Sequence, residues 1–277
     1  KISKFLMPML IILTIGISVY ALTLPGALDG VAYYLVPDFS KFSIMTVAGA
    51  LGQLFYSMSL AMGIMVTYGS YTKNEINLTK SVNQIEIFDS AVALLAGLMI
   101  VPAVYVFMGK EGMTAGPGLM FIALPKVFDQ MGAIGNVIGV IFFAMVLFAA
   151  ITSSISIMEA VVSSLMDGFK MKRKPVALLV LAYGIVAGII VCLGYNKLYF
   201  ELSLPNGTVG QILDVMDYVS NNIFMPIVAL ATCILIGWVA KPKTVIDEVT
   251  KNGAKFNRKF IYNATIKFIA PVLLMVI

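Results

Sequence analysis

The chain has 277 residues, of which 60% are hydrophobic and only 12% are charged, and its mean hydropathy is +0.96. Soluble domains carry about 25% charged residues, so this composition excludes a soluble globular protein and indicates an integral membrane protein. The net charge of +5 does not indicate nucleic-acid binding, because the basic residues lie between apolar segments. The sequence contains no histidine, which removes the usual general base and argues against an enzyme.

Seven apolar segments have the length of about 20 residues that a helix needs to cross a bilayer. They are Phe5–Leu24, Thr46–Tyr71, Ile85–Met108, Ile134–Met166, Val176–Gly194, Val215–Ala240 and Phe260–Ile277. Fourteen of the 19 Lys and Arg residues fall on one side of this arrangement, and only four fall on the other. The positive-inside rule therefore predicts a multi-pass protein of the cytoplasmic (inner) membrane, with the N-terminal end of the chain in the cytoplasm.

The second apolar segment contains polar residues that lipid cannot satisfy. Gln53, Ser57 and Ser59 lie among glycines, which are Gly49, Gly52 and Gly63. One interpretation is an unwound stretch, where two helix ends offer carbonyl and N–H groups to ions or substrate. The alternative is a continuous helix that packs closely on a neighbour through Ser59 and Gly63, which are four residues apart.

The third segment carries Asp89 at membrane depth, where an ionised side chain needs a partner or water. If the helix begins near Asn77, Asp89 lies well inside it, and its partner must be a cation or another helix. The alternative is that Asp89 reaches cytoplasmic water near the end of the segment, as Glu86 would one turn earlier.

The outer connection Gly109–Gly132 is long, and a Gly-Pro-Gly break at 116–118 precedes an apolar run. Apolar residues in an external loop need cover. A lid that folds over an outer vestibule would provide it, and packing against the neighbouring span ends would provide it equally well.

The fourth segment places Thr152, Ser156, Glu159 and Ser163 on one helix face, at spacings of four, three and four residues. Hydroxyl groups in membrane helices often bond to their own backbone. Alternatively, Thr152 and Ser153 with the carbonyl of Ala149 provide the oxygen ligands that a hard monovalent cation such as sodium prefers.

Carboxylates also lie at the edges of spans, namely Asp167, Asp214 and Asp217. The default interpretation is a solvated helix-end charge. Ion-paired gates would use similar positions, but the sequence reveals no partner for them, since Arg173 and Arg258 are the only arginines and both are predicted to be cytoplasmic.

Four motifs resemble the sodium-coupled neurotransmitter and amino-acid symporters. Residues 52–63 (GQLFYSMSLAMG) with TYGSY at 67–71 resemble the sixth helix of that family, and FAAITSSISI at 148–157 resembles its eighth. GPGLMFIALP at 116–125 resembles the extracellular lid, and LDVMD at 213–217 the start of the tenth helix. The motifs occur in the family's order over nearly the whole chain.

The resemblance implies an all-α, LeuT-like inverted-repeat fold, with the seven segments as helices five to eleven. Residues 1–24 would be the last helix of the first repeat, and 25–45 an extracellular connection. Residues 46–240 would form the second repeat, with its lid at 109–133. Residues 241–259 would be a cytoplasmic loop and 260–277 the peripheral eleventh helix. Helices one to four would be missing from the chain as given.

The resemblance also assigns roles to individual residues. Ser57 and Asp89 correspond to the first sodium site, and the Ala149 carbonyl with Thr152 and Ser153 corresponds to the second. The substrate pocket corresponds to Tyr56, Ser57, Ser59, Met62, Ser153 and Ile157. The region of the anion site corresponds to Gln53, Ser57 and Asp89, and because a carboxylate at Asp89 could replace chloride, we expect no chloride requirement. The gates correspond to Asp217 on the outside and Asp167 on the inside, with Tyr71 bracing the inner one.

The function implied is sodium-coupled symport of an amino acid or related amine by alternating access. One alternative is a proton- or exchange-driven amino-acid carrier of the same scaffold, and another is a non-transporting fragment that packs against another polypeptide. The expected partners are a small amino-acid substrate and the lipid bilayer, without nucleic acid, and a homodimer remains open.

Overall fold

The structure is a computed structural model that describes residues 2–112, 118–205 and 209–276. It is helical apart from one short hairpin. The α-helices are α1 (Ile2–Leu22), α2 (Ala27–Leu35), α3 (Ile44–Ser57), α4 (Ile64–Ser70), α5 (Leu78–Met108), α6 (Leu124–Gln130), α7 (Ala133–Phe169), α8 (Arg173–Gly194), α9 (Ile212–Tyr218), α10 (Met225–Ile234), α11 (Pro242–Thr250), α12 (Lys259–Ala264) and α13 (Ala270–Val276).

Shorter elements join these helices. The 3₁₀ turns are Phe39–Lys41 and Lys110–Gly112, and the π-helical turns are Leu119–Ala123, Val219–Phe224, Leu235–Val239 and Thr265–Ile269. Strands β1 (Leu202–Ser203) and β2 (Val209–Gly210) pair antiparallel between α8 and α9, with Leu202 opposite Gly210. This hairpin is not among the elements predicted from the sequence.

All seven predicted segments are helical. Four continuous helices are long and apolar enough to cross a membrane, namely Leu78–Met108, Ala133–Phe169, Arg173–Gly194 and Ile212–Val239. Residues Met7–Leu22 and Ala27–Leu35 meet the same criterion as a pair, bent by 118°. The second predicted segment is divided between α3 and α4, and the last consists of α12, a π turn and α13. The fourth segment, predicted to be long for one span, is a helix of 37 residues.

The chain forms two compact units, and the first comprises Lys1–Phe42 and Glu86–Ile155. Its core joins α1, α5, α6 and the first part of α7 through buried apolar side chains, among them Ala21, Val104, Val127 and Phe142. The rings of Phe128 and Phe142 lie 5.6 Å apart in a tilted arrangement. Polar contacts also join these helices, since the Ser18 hydroxyl donates to the Leu95 carbonyl at 3.1 Å.

The connection predicted as an extracellular loop at 25–45 contains helix α2. The chain turns into it at Gly26, whose φ of 83° is a conformation that glycine adopts without steric cost. Gly30 on this helix lies against α5, because a Cβ there would be 2.7 Å from the Cα of Pro102. The close approach of two backbones therefore requires glycine at this position.

The second unit comprises Ser43–Ile85 and Ser156–Ile277. Its core is formed by Ala229 and Cys233 of α10 with Leu274 of α13, and Phe55 and Ala61 pack against them. The π turns that precede α11 and α13 also meet closely, since a Cβ on Gly237 would lie 3.2 Å from the Ile266 carbonyl oxygen. This unit holds the break between α3 and α4.

Candidate functional site

The break in the second predicted segment has an irregular backbone. Helix α3 ends at Ser57 and α4 begins at Ile64. Between them Ser59 has φ 54°, Ala61 has φ 60° and Gly63 has φ 77°. Non-glycine residues seldom adopt positive φ, so this turn is strained. The unwound stretch is therefore confirmed, and the alternative of a continuous helix packed through Ser59 and Gly63 is wrong.

The turn after α3 folds back onto the end of that helix. The backbone N–H of Ser59 donates to the Tyr56 carbonyl at 3.1 Å, and that of Leu60 donates to the Phe55 carbonyl at 2.8 Å. Of the predicted pocket residues, Tyr56 and Ser57 form the end of α3, while Ser59 and Met62 lie in the turn. The break thus gathers four of the predicted residues on one irregular segment, and Gln53 lies one turn earlier on α3.

Two hydrogen bonds join α4 and the residue that follows it to α7. The Tyr68 hydroxyl donates to Ser156 Oγ at 2.6 Å, and the Tyr71 hydroxyl donates to Glu159 Oε1 at 2.8 Å. The two tyrosines are three residues apart, and so are their two acceptors on α7. The two hydrogen bonds therefore lie one above the other, and we call them the tyrosine ladder. The predicted polar face of α7 is confirmed for Ser156 and Glu159, which both point to α4.

Glu159 also binds an arginine. Arg173 at the start of α8 donates through Nη1 to Glu159 Oε1 at 3.0 Å and through Nη2 to Oε2. The bidentate geometry is the strong form of this pair. The Glu159 side chain is 19% exposed and that of Arg173 is 59% exposed. One carboxylate therefore connects three elements of the second unit, which are α7, α8 and the end of α4.

The predicted sodium ligands of α5 and α7 lie in the first unit. Helix α5 begins at Leu78, close to the predicted Asn77, so half-buried Asp89 lies about 16 Å along it at 1.5 Å per residue. On α7 the Thr152 hydroxyl donates to the Ala149 carbonyl at 2.9 Å. The back-bonding interpretation of Thr152 is therefore confirmed. The same bond holds two of the predicted ligand oxygens side by side, and Ser153 is the next residue.

The predicted sites draw on both units. Ser57 belongs to the second unit and Asp89 to the first, and within the substrate pocket Ser153 belongs to the first unit and Ile157 to the second. Within the residues that the structure describes, no group of three or more Cys, Asp or Glu side chains is arranged to hold a metal ion. The available ligands are hydroxyl, carbonyl and single carboxylate oxygens, which is a donor set that suits sodium.

The hydrogen bonds of Asp217 and Asp214 are formed with residues close to them in the chain. Asp217 on α9 accepts a hydrogen bond from Asn221 Nδ2 at 2.6 Å, one turn further along the chain. Asp167 is exposed near the end of α7. Asp214 caps α9 by accepting from the Gln211 N–H at 3.0 Å. Burial, together with the charge of Asp214, raises the pKa of the Tyr195 phenol beside this cap.

The predicted lid is largely helical. Gly116 and Pro117 lie outside the described residues, and a π turn and α6 follow them. Ala123 is buried, and Leu124 and Phe128 belong to the core of the first unit, against the ends of α1 and α5 and the beginning of α7. This confirms the alternative of packing against neighbouring span ends for these residues, and closure over a vestibule stays a prediction.

Tyr68 and Arg173 have no role among the residues predicted from the sequence, and Glu159 is not among the predicted gate residues. No partner for an acidic gate was visible in the sequence, whereas Arg173 pairs with Glu159 across the short turn between α7 and α8. The spacing of these residues is a signal for the contact. Tyr68 and Tyr71 are three residues apart in the sequence, and so are Ser156 and Glu159. The sequence does not show that the face of α4 with Tyr71 meets the polar face of α7.

Known proteins match the chain along its whole length. Residues 2–277 match a model of the sodium:neurotransmitter symporter family. An uncharacterized sodium-dependent transporter of Haemophilus influenzae is 34% identical over 274 residues, which cover 99% of this chain and 58% of that protein. An uncharacterized sodium-dependent transporter of Bacillus subtilis is 33% identical over 279 residues, which cover 100% of this chain and 60% of that protein.

A solved structure matches as well. The crystal structure of MhsT in complex with L-phenylalanine has a TM-score of 0.86 and 31% sequence identity, and the match covers 99% of this chain and 60% of the MhsT chain. The helical architecture expected from the sequence is therefore confirmed. The chain spans about 60% of the length of these proteins.

Proposed function

Because the chain belongs to the sodium:neurotransmitter symporter family, we propose that the protein that carries it imports an amino acid together with sodium. The observation that carries the proposal is the broken helix at residues 58–63, where a membrane segment gives up helical hydrogen bonding. Unwound backbone at membrane depth is tolerated only where it is covered by protein or lines a cavity. Transporters use such breaks to bind ions and substrate.

Sodium would bind at two places. The second site would use the Ala149 carbonyl with the hydroxyls of Thr152 and Ser153, and the bond between Thr152 and Ala149 supports it by fixing two oxygens next to each other. The first site would use Ser57 and Asp89. The half-buried position of Asp89, well inside its helix, supports a role for its charge at membrane depth.

The substrate would be an amino acid held at the break. Its pocket would comprise Tyr56, Ser57, Ser59, Met62, Ser153 and Ile157. MhsT was crystallised with L-phenylalanine, so this amino acid is the first substrate to test. The small side chain of Ala61 and the flexible side chain of Met62 would define the space for the substrate side chain.

Coupling would follow from a shared conformation. Sodium and substrate that both stabilise one arrangement of the helices raise each other's affinity. The tyrosine ladder and the Glu159–Arg173 pair join α4 to α7 and α8. We infer that these contacts keep the cytoplasmic path closed, together with Asp167, and that Asp217 belongs to the outer gate.

The orientation in the membrane follows from the charges. Many of the basic residues lie in three stretches of the chain, which are 72–77, 170–172 and 241–258. The positive-inside rule assigns these stretches to the cytoplasm. The predicted N-terminal end would be cytoplasmic for the same reason. The tyrosine ladder would then lie near the inner membrane surface.

Proteoliposomes test the proposal directly. Reconstituted protein should accumulate radiolabelled L-phenylalanine or another amino acid when an inward sodium gradient is applied, and should stop when choline replaces sodium. A proton gradient without sodium provides the comparison with a proton-driven carrier. Equal uptake in sodium and choline would reject sodium coupling.

The carboxylate at Asp89 bears on the need for an anion. If Asp89 supplies the negative charge next to Gln53 and Ser57, uptake should be unchanged when gluconate replaces chloride. The isosteric Asp89→Asn substitution should then abolish uptake or make it depend on chloride. Full activity of this variant without chloride would contradict the assignment.

A further inference from the structure

The second unit contains a basic cleft outside the candidate transport site. It lies between the π turn that precedes α11, the first turn of α11 and the last helical segment, and has a volume of about 360 Å³. Three lysines line it, which are Lys241, Lys243 and Lys267. The cleft is formed where Gly237 lets the two π turns approach closely, which places Lys267 beside the other two.

The charge of this cleft is the feature that indicates its ligand. Among the described residues, none of the three lysines forms an ion pair with a carboxylate. Glu248 on α11 pairs instead with Lys251 at 3.5 Å. The described residues of the lining therefore provide three positive charges and no negative one, which is complementary to an anion.

The backbone adds to this preference. Helix α11 begins at Pro242 beside the cleft, and no side chain caps its N-terminus. The N-terminus of a helix carries the positive end of its dipole. Pro242 has no N–H and the Thr244 N–H donates to the Lys241 carbonyl at 3.1 Å, so the Lys243 N–H is the first-turn donor that can bind an anion. The helix is nine residues long, so it has a developed N-terminus.

Asn263 supplies a polar group within the cleft wall. Its Oδ1 atom is buried and has no hydrogen-bond partner within the described part of the protein. Leaving a buried amide oxygen without a hydrogen bond costs free energy.

Another lining residue, Trp238, bears on which kind of anion the cleft would bind. Trp238 is exposed and contacts Phe268 edge to face, with ring centroids 5.9 Å apart. Tryptophan is enriched where a membrane protein meets the headgroup region. Lys267 lies about 12 Å along its helical segment from Lys259, where a lysine extends its ammonium group toward the interface.

We propose that this cleft binds the headgroup of an anionic phospholipid, with the phosphate held by Lys241, Lys243, Lys267 and the N-terminus of α11. The acyl chains would extend along the exposed face at Trp238 and Phe268. Basic pockets between membrane helices on the cytoplasmic side recognise headgroups of this kind. A lipid is favoured over a soluble phosphate because an apolar, exposed aromatic pair borders the basic cleft.

The experiment uses the only tryptophan of the chain as the reporter. The protein is placed in nanodiscs that contain brominated phosphatidylglycerol in a phosphatidylcholine background, and in matched discs where the phosphatidylcholine carries the bromine. Bromine quenches tryptophan on contact. At equal bromine content, we expect at least about threefold greater quenching from the anionic lipid, because several lysines near the surface each add to its attraction.

Matched variants identify the cleft as the cause. The triple substitution Lys241→Gln, Lys243→Gln and Lys267→Gln should make the two lipids quench equally, and the corresponding triple change to Arg should retain the preference. Lys255→Gln with Lys259→Gln removes two charges of the same region that do not line the cleft, and should also retain the preference.

Several results would overturn the proposal. One is equal quenching by both lipids in the unchanged protein, and another is loss of the preference in the Lys255 and Lys259 variant, which would indicate general surface attraction. A third is complete relief of the quenching by about 10 mM glycerol 3-phosphate at constant ionic strength, which would assign the cleft to a soluble phosphate ester.

Discussion

The hydrogen bond between Tyr71 and Glu159 offers a direct test of the tyrosine ladder. Tyr71→Phe removes one hydroxyl and leaves Glu159 paired with Arg173. A hydrogen bond to a charged group contributes about 1.5–3 kcal/mol, and exposed charged pairs contribute about 0.2–1 kcal/mol. Because Glu159 is 19% exposed and Tyr71 is exposed at the end of α4, we expect Tyr71→Phe to cost about 1 kcal/mol of unfolding free energy.

A double-mutant cycle isolates this bond from other effects. Tyr71→Phe is measured in the unchanged protein and in a Glu159→Leu background, where the acceptor is gone and the same change should cost almost nothing. The expected coupling is about 1 kcal/mol, obtained from equilibrium unfolding in mixed micelles. Tyr183→Phe is the control, because Tyr183 lies on the exposed face of α8, and its small effect should be equal in both backgrounds.

The outcome that refutes the ladder is specific. If Tyr71→Phe and Glu159→Leu are additive to within about 0.3 kcal/mol, the hydroxyl and the carboxylate do not interact in the folded protein. The proposed closure of the cytoplasmic path by this contact would then lose its basis. A coupling as large for Tyr183 as for Tyr71 would show that Glu159→Leu disturbs the whole unit.

Two further substitutions test the break and the proposed sodium site. Ala61 has a φ of 60°, a conformation that costs a non-glycine residue about 1–2 kcal/mol, so Ala61→Gly should raise the unfolding free energy by about 0.5–1 kcal/mol, whereas Ala182→Gly in the exposed middle of α8 should lower it by about 1 kcal/mol. Equal losses at both positions would contradict the strained turn. Thr152→Val removes the hydroxyl that bonds Ala149 and should abolish the rise of the melting temperature with sodium. Thr232→Val removes a similar bond to the Val228 carbonyl at 2.8 Å and should leave that rise intact, so loss of sodium stabilisation in both variants would argue against a site at Thr152.

Much of the candidate site was predictable because it is local in sequence. A polar, glycine-rich stretch within an apolar segment predicts a break, and the break lies at the predicted place between Ser57 and Ile64. The depth of Asp89 followed from the start of its helix at Leu78. The bond between Thr152 and Ala149 joins residues one turn apart, and helical spacing alone brings them together.

The partners of other polar groups were not predictable in this way. Tyr71 and Glu159 are 88 positions apart, and the sequence does not state which helix faces which. Arg173 was available to several carboxylates, but only packing decides that it binds Glu159 and that Asp217 is bonded to Asn221. The same holds for Lys267, which reaches Lys241 and Lys243 only because two π turns approach at Gly237.

Sequence alone was enough to establish the membrane class, the seven helical segments, the interrupted helix and the charge asymmetry. These properties depend on the length, polarity and local backbone preference of short stretches, which act before any helix meets another. Tertiary structure decided the tyrosine ladder, the choice of ion pair, the packing of the outer segment after Gly118 and the basic cleft. Each of these depends on contacts between residues distant in the chain, and their energies exist only once the helices are packed.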